Sequence, residues 1–164
     1  MKRLMVTCAL AVMLAPAVVP GSASAETYLG MFTKKCSNGA RIAILYRQGV
    51  EADALVDKNR FALSKELSRE YYRCSVTASD SLLKDSARFY SASALIVTAT
   101  SPTLSLVEKR EIGQQVSIAM NELATSSKNL DIKRRALELR NDARTLVDLL
   151  SQQINGPTPE PEST

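Results

Sequence analysis

The chain contains no histidine, and that absence decides most of what its side chains can do. Histidine is the usual general base near neutral pH and the commonest metal-binding side chain. Ser-His and Cys-His nucleophilic pairs are therefore excluded, as are C-x-x-C-H haem attachment and bundle metal sites built from Glu-x-x-His pairs. Two carboxylates can hydrolyse a glycosidic bond without histidine, and the pairs present are Glu51 with Asp53, Glu66 with Glu70, and Glu108 with Glu111. Each falls on a polar helical face. Glu66 and Glu70 sit among Lys65, Arg69 and Arg73, the pattern of a salt-bridged exposed surface rather than of an acid/base site. Gly30, Gly39, Gly49 and Gly113 follow no strand and build no phosphate loop. No catalytic, cofactor-binding or metal-ligating residue is assigned, no cofactor is expected, and the reading is of a protein that is not an enzyme.

The N-terminus bears on where any remaining chemistry takes place. Met1-Lys2-Arg3 precedes an apolar run from Leu4 to Val19, Pro20-Gly21 breaks it, and Ala23-Ser24-Ala25 follows. That order is the one a secretion machinery reads, with cleavage expected before Glu26. The run is shorter than the ~20 apolar residues of a spanning helix and contains Pro16, so residues 1–25 read as a removed signal peptide rather than a membrane anchor. The working protein is expected in a periplasm or outside the cell, where disulfides form and persist. Two cysteines remain there, Cys36 and Cys74. Their spacing is not the close C-x-x-C of a redox-active pair, so a structural bridge is expected, stabilising the fold by about 4 kcal/mol in the chain-entropy picture.

Without Lys2 and Arg3, 19 basic residues face 17 acidic ones. So balanced a surface gives no electrostatic case for nucleic acid or for an anionic membrane. The cluster Lys133-Arg134-Arg135, continued by Arg140 and Arg144, has Glu138 one turn after Arg134 and Asp148 one turn after Arg144, the i, i+4 pairing of an exposed helix. No aromatic residue follows Tyr90, which leaves that half without a stacking platform for single strands. A different feature points to a partner. Tyr71 and Tyr72 are neighbours flanked by Arg69 and Arg73. Successive helical residues point about 100° apart, so with Tyr71 in the core Tyr72 is carried outward. Tyr and Arg dominate binding energy at interfaces, which makes Tyr72, Arg69 and Arg73 the candidate partner-binding residues.

The elements that position these groups show helical periodicity almost throughout. A first helix, about 38 to 57, carries Ile42, Leu45, Gly49, Ala52 and Val56 on one face; a second, about 59 to 78, carries Leu63, Leu67, Tyr71, Cys74 and Ala78. A third spans about 79 to 100, and no glycine or proline decides whether it is continuous with the second. The fourth, about 102 to 126, opens with Ser105 and Glu108 as a capping box and packs through Ile112, Val116, Ala119 and Leu123. The fifth begins at an Asn129 cap and presents Ile132, Ala136, Leu139, Ala143, Leu146 and Leu150 in the a/d pattern of a bundle helix. Gly156 is expected to end it in the left-handed conformation before Pro157.

The fold class is therefore all-α, a four- or five-helix bundle over residues 26–155 with a Pro/Glu-rich tail, 156–164, expected to be disordered. The midpoint of Cys36 and Cys74 is position 55, near the break between the first two helices, so the bridge is expected to clip the open end of an N-terminal hairpin. A bundle of this kind suits a non-enzymatic protein-interaction module of accessory, adaptor, inhibitor or immunity type, with another protein as partner and no stable membrane anchor after cleavage. The alternative is a carrier of a small hydrophobic ligand, with Ser91, Ala92, Ser93, Ala94, Thr98 and Ala99 leaving room between helices.

Overall fold

Several helix starts and stops in the structure have a cause within a few residues of sequence. The structure is a computed structural model that describes the backbone of residues 23–156 and the side chains of residues 29–156. Most of the expected signal peptide and all but the first residue of the expected tail lie outside the described residues. The described chain forms helices α1 (Ala23–Lys35), α2 (Gly39–Ala54), α3 (Arg60–Thr77), α4 (Ser81–Thr98), α5 (Leu106–Ser126) and α6 (Leu130–Ile154), with no strand among the described residues. The all-α bundle is as expected, but there is one helix more.

The additional helix is α1, where the periodicity reading began only at residue 38. Its signal was present: Leu29, Phe32 and Cys36 recur at spacings of three and four. Phe32 is fully buried. The turn from α1 into α2 depends on Gly39, whose missing Cβ would stand 2.5 Å from the Phe32 carbonyl oxygen and 2.7 Å from Thr33 Cα. Both are backbone atoms that cannot swing aside, so only glycine lets the two helices meet this closely.

Helix α2 ends earlier than its apolar stripe suggests. The N–H of Asp57 donates to the carbonyl of Ala52 at 2.8 Å and that of Val56 to Asp53 at 3.0 Å, the paired bonds of a Schellman stop. Val56 occupies the position that glycine usually takes, at φ 53°. It is 70% exposed and so leaves the stripe assigned to it.

Helices α3 and α4 are separate, which settles what neither glycine nor proline could. Ala78 and Asp80 are both extended, and the Asp80 carboxylate accepts from the Leu83 N–H at 3.0 Å, capping α4. Ser105 and Glu108 form the reciprocal capping box of α5, and Asn129 accepts from the Ile132 N–H at the start of α6. At its far end α6 closes through Asn155 N–H to the Ser151 carbonyl, and Gly156 does not take the left-handed conformation. On α5 it is Met120, fully buried, that continues the stripe of Val116 and Leu123 while Ala119 faces solvent. All six a/d residues of α6 are buried.

The closest packing pairs α3 with α4 and α5 with α6, and α4 also contacts α1, α5 and α6. Two cores result. One gathers Phe32, Ile42, Tyr71, Cys74, Leu83 and Ala87. The other joins Phe89, Ala92 and Ile96 of α4 to the apolar faces of α5 and α6. Tyr90 packs against both. The small residues Ala92, Ser93, Ala94, Thr98 and Ala99 are buried, and the hydroxyls of Ser93 and Thr98 bond back to the carbonyls of Phe89 and Leu95 in their own helix.

Candidate functional site

Cys36 and Cys74 form a disulfide with Cα atoms 5.4 Å apart, within the span such bonds require. The bridge ties the corner between α1 and α2 to the C-terminal part of α3. Asn38 reinforces the same corner. Its side-chain N–H group donates to the Glu70 carbonyl at 2.8 Å and to the Glu70 carboxylate at 2.7 Å. Its side-chain oxygen does not cap its own helix. Glu70, its side chain largely buried, also accepts from Arg73 at 2.7 Å.

From this corner a run of contacts leads to the expected partner-binding residues. Tyr71 and Tyr72 diverge as helical geometry requires. Tyr71 is buried against Phe32, ring centroids 4.9 Å apart, and against Tyr90 at 5.6 Å. Burial, with smaller contributions from Tyr90 and Tyr46, pushes its phenol well above the ordinary value, so it stays neutral. Tyr72 is 62% exposed.

Tyr72, Arg69 and Arg73 line one open groove together with Ser68 of α3 and Ser91 and Leu95 of α4, enclosing about 380 Å³. The floor is the close α3–α4 crossing: Ser91 donates to the Ser68 carbonyl at 2.9 Å, and the two hydroxyls stand 3.3 Å apart. Small side chains let the helices approach here, with the exposed Tyr72 and the half-buried Leu95 lining the groove on either side. Ser91, placed by sequence among residues that open a ligand space, instead closes this crossing.

The three residues expected at this face differ in their commitments. Arg73 is tied to Glu70. Arg69 is exposed and makes no ion pair among the described residues. Ser68, Ser91 and Leu95 were not singled out as site residues, because the register of α4 against α3 is not visible in either helix alone. The Asp80 cap fixes that register: residues equidistant from a hairpin turn lie level, which sets Ser68 opposite Ser91.

No protein family, curated protein or solved structure matches the chain. The geometry alone carries the reading.

Part of the basic cluster of α6 is engaged in contacts within the fold. Arg135 lies over the rings of Phe89 and Tyr90, 4.6 and 5.6 Å from their centroids, a cation–π contact that docks α6 on α4. Arg134 pairs with Asp131, one turn before it, at 2.7 Å rather than with Glu138, and Arg144 and Asp148 make no ion pair with each other. Glu66 pairs with Arg41 across to α2 at 2.8 Å. Among the described residues no group of three or more His, Cys, Asp or Glu side chains converges as a metal site, and no helix is long and apolar enough to cross a membrane.

Proposed function

We propose that this chain is an exported, non-enzymatic protein-interaction module that docks another protein in the α3–α4 groove around Tyr72. The observation that carries the reading is the position of Tyr72 itself, a large amphipathic side chain held outside the core and beside two guanidinium groups on a concave floor. Tyrosine brings much contact area with few rotatable bonds, and arginine adds directional hydrogen bonding. The disulfide and the Asn38–Glu70 bonds tie α3 to the α1–α2 corner, which limits the ordering cost of binding at its outer face. Export is supported by the order of residues 1–25 and by the Cys36–Cys74 bridge, which suits an oxidising compartment.

A pull-down from the native compartment with wild type, Tyr72→Ala and Arg69→Ala tests the face. Truncating an interface anchor costs ~2 kcal/mol or more, about thirtyfold in affinity, so both variants are expected to lose the partner at unchanged helicity and melting temperature. Unchanged recovery would reject this face. Arg69 is the better arginine for the test, because removing Arg73 also strips Glu70 of its ion-pair partner and mixes binding with stability.

A further inference from the structure

Three of the four acidic residues of the α3–α4 hairpin are paired, while four of its six basic residues make no ion pair among the described residues. Glu66 is taken by Arg41 of α2, Glu70 by Arg73 and Asn38, and Asp80 by Lys35 of α1 together with its own cap bond. Arg69, Lys84 and Arg88 make no ion pair among the described residues. The outward positions sort the same way. On α3, Lys65, Arg69, Tyr72 and Val76 follow at spacings of four, three and four; on α4, Lys84, Arg88, Ser91 and Leu95 do the same. These two stripes flank the groove that Arg69, Tyr72, Ser91 and Leu95 line. The remaining hairpin carboxylate, Asp85, lies about 100° round the helix from Lys84 and off this stripe.

The groove therefore combines an apolar lining from Tyr72 and Leu95 with a positive rim. We infer that the partner segment seated in this groove is an acidic stretch of polypeptide carrying one large apolar side chain, its carboxylates meeting Arg69 and Arg88 and its apolar group entering between Tyr72 and Leu95. The inference rests on the docking reading above and adds the partner's chemistry to it. Charge complementarity selects the sign of the partner. The concave floor, with room for a side chain rather than a flat bilayer, selects a polypeptide over a lipid surface.

The test is selection from a random-sequence peptide library displayed on phage, using the mature, disulfide-bonded protein as bait. The expected result is enrichment of peptides with several Asp or Glu around one Leu, Phe, Trp or Tyr. A synthetic copy of the best of these should bind at least ~tenfold more weakly to Arg69→Glu/Arg88→Glu, and should weaken as salt is raised. Both side chains are exposed, and the milder Arg69→Gln/Arg88→Gln pair should show the same direction at an unchanged circular dichroism spectrum. Enriched peptides that are neutral or basic yet depend on Tyr72 would overturn the acidic-partner inference and leave the docking face standing. Acidic peptides whose binding ignores both Tyr72→Ala and Leu95→Ala would remove the groove itself. No enrichment, or tighter binding to phosphatidylglycerol vesicles than to any selected peptide, would overturn the inference.

Discussion

The two cores of this molecule are built from different materials. The α5–α6 core repeats one idea along 25 residues of α6: Leu, Ile and Ala at alternating spacings of three and four, packed on a neighbour joined by a short connection. The core around Phe32 draws one or two residues each from α1, α2, α3 and α4 and closes them with a disulfide and an aromatic cluster. In the first, neighbours in space are neighbours in pattern, and any one side chain is one of many alike. In the second, Phe32 meets Tyr71 and Tyr90 edge-on at 4.9 and 5.6 Å, and each contact has no copy elsewhere. Helix α4 belongs to both, giving Leu83 and Ala87 to one side and Phe89, Ala92 and Ile96 to the other.

The sharpest way to break this comparison is to remove one member from each core. Phe32→Ala is expected to destabilise by roughly 3–5 kcal/mol, and loss of the bridge in Cys36→Ser/Cys74→Ser by about 4 kcal/mol. Phe32 and Cys74 share a core, so the combined variant should depart from the sum of its parts in denaturant melts. Leu146→Ala, buried in the other core, should add to bridge loss without coupling. Equal coupling for both would show that the molecule has one core and not two.

A smaller effect is expected at the α1–α2 corner. Gly39→Ala sets a methyl group against backbone and should cost roughly 1–3 kcal/mol, the range for overpacking. At Gly113, where the nearest atom is the Val147 side chain at 2.9 Å, that side chain can turn away, so Gly113→Ala should be the milder of the two. Thermal melts of the two variants rank them directly.

Val56→Gly should act in the opposite direction. Relieving a β-branched side chain of its left-handed backbone gains about 1–2 kcal/mol, partly offset by about 0.5–1 kcal/mol of glycine's extra chain entropy. The expected outcome is a modest rise in melting temperature, and a fall would mean that the exposed valine has a packing role.

The smallest effect is electrostatic. The Asp80 carboxyl is held below its ordinary value of 3.8, first by the Leu83 N–H and then by Lys35. A carboxylate lowered in this way stabilises the fold above its unfolded pKa, and that contribution fades as pH falls through the lower, folded value. Asp80→Asn keeps a cap acceptor and removes the charge. Its melting temperature should lie slightly below wild type near neutral pH and converge with it as the solution is acidified below about pH 4. A gap that persists in acid would assign the effect to cap geometry instead.

The same contrast explains what could be read in advance. The six buried positions of α6, the Ser105–Glu108 box and the Asn129 cap depend on residues within one or two turns, and sequence spacing displays them. The bridge was legible because only two cysteines remain after the expected cleavage. Helix α1 was missed because its apolar signal is three residues long and its purpose, covering Tyr71 and Tyr90, lies far along the chain. Val56 fits the apolar stripe of α2 yet leaves it, since hydrogen bonds from Val56 and Asp57 close the helix first. Ala119 and Met120 both continue the α5 pattern at allowed spacings, and the larger buried surface wins. At the groove, Tyr72, Arg69 and Arg73 share one turn and were visible together. Ser91 and Leu95 were not, because they arrive across a hairpin whose turn is set by one aspartate.

The bridge between Cys36 and Cys74 has a consequence for how the molecule responds to a protease. It closes the whole of α2, the Val56 turn and most of α3 into one covalent ring. The exposed turn at residues 55–59 is a non-helical, accessible segment of that ring, where a protease cut is expected first. A single cut there opens the ring without dividing the molecule, and the Phe32 core and the groove stay assembled on the two joined strands. Such a nicked protein keeps its mass, apart from one added water, until the disulfide is reduced, when it separates into two pieces.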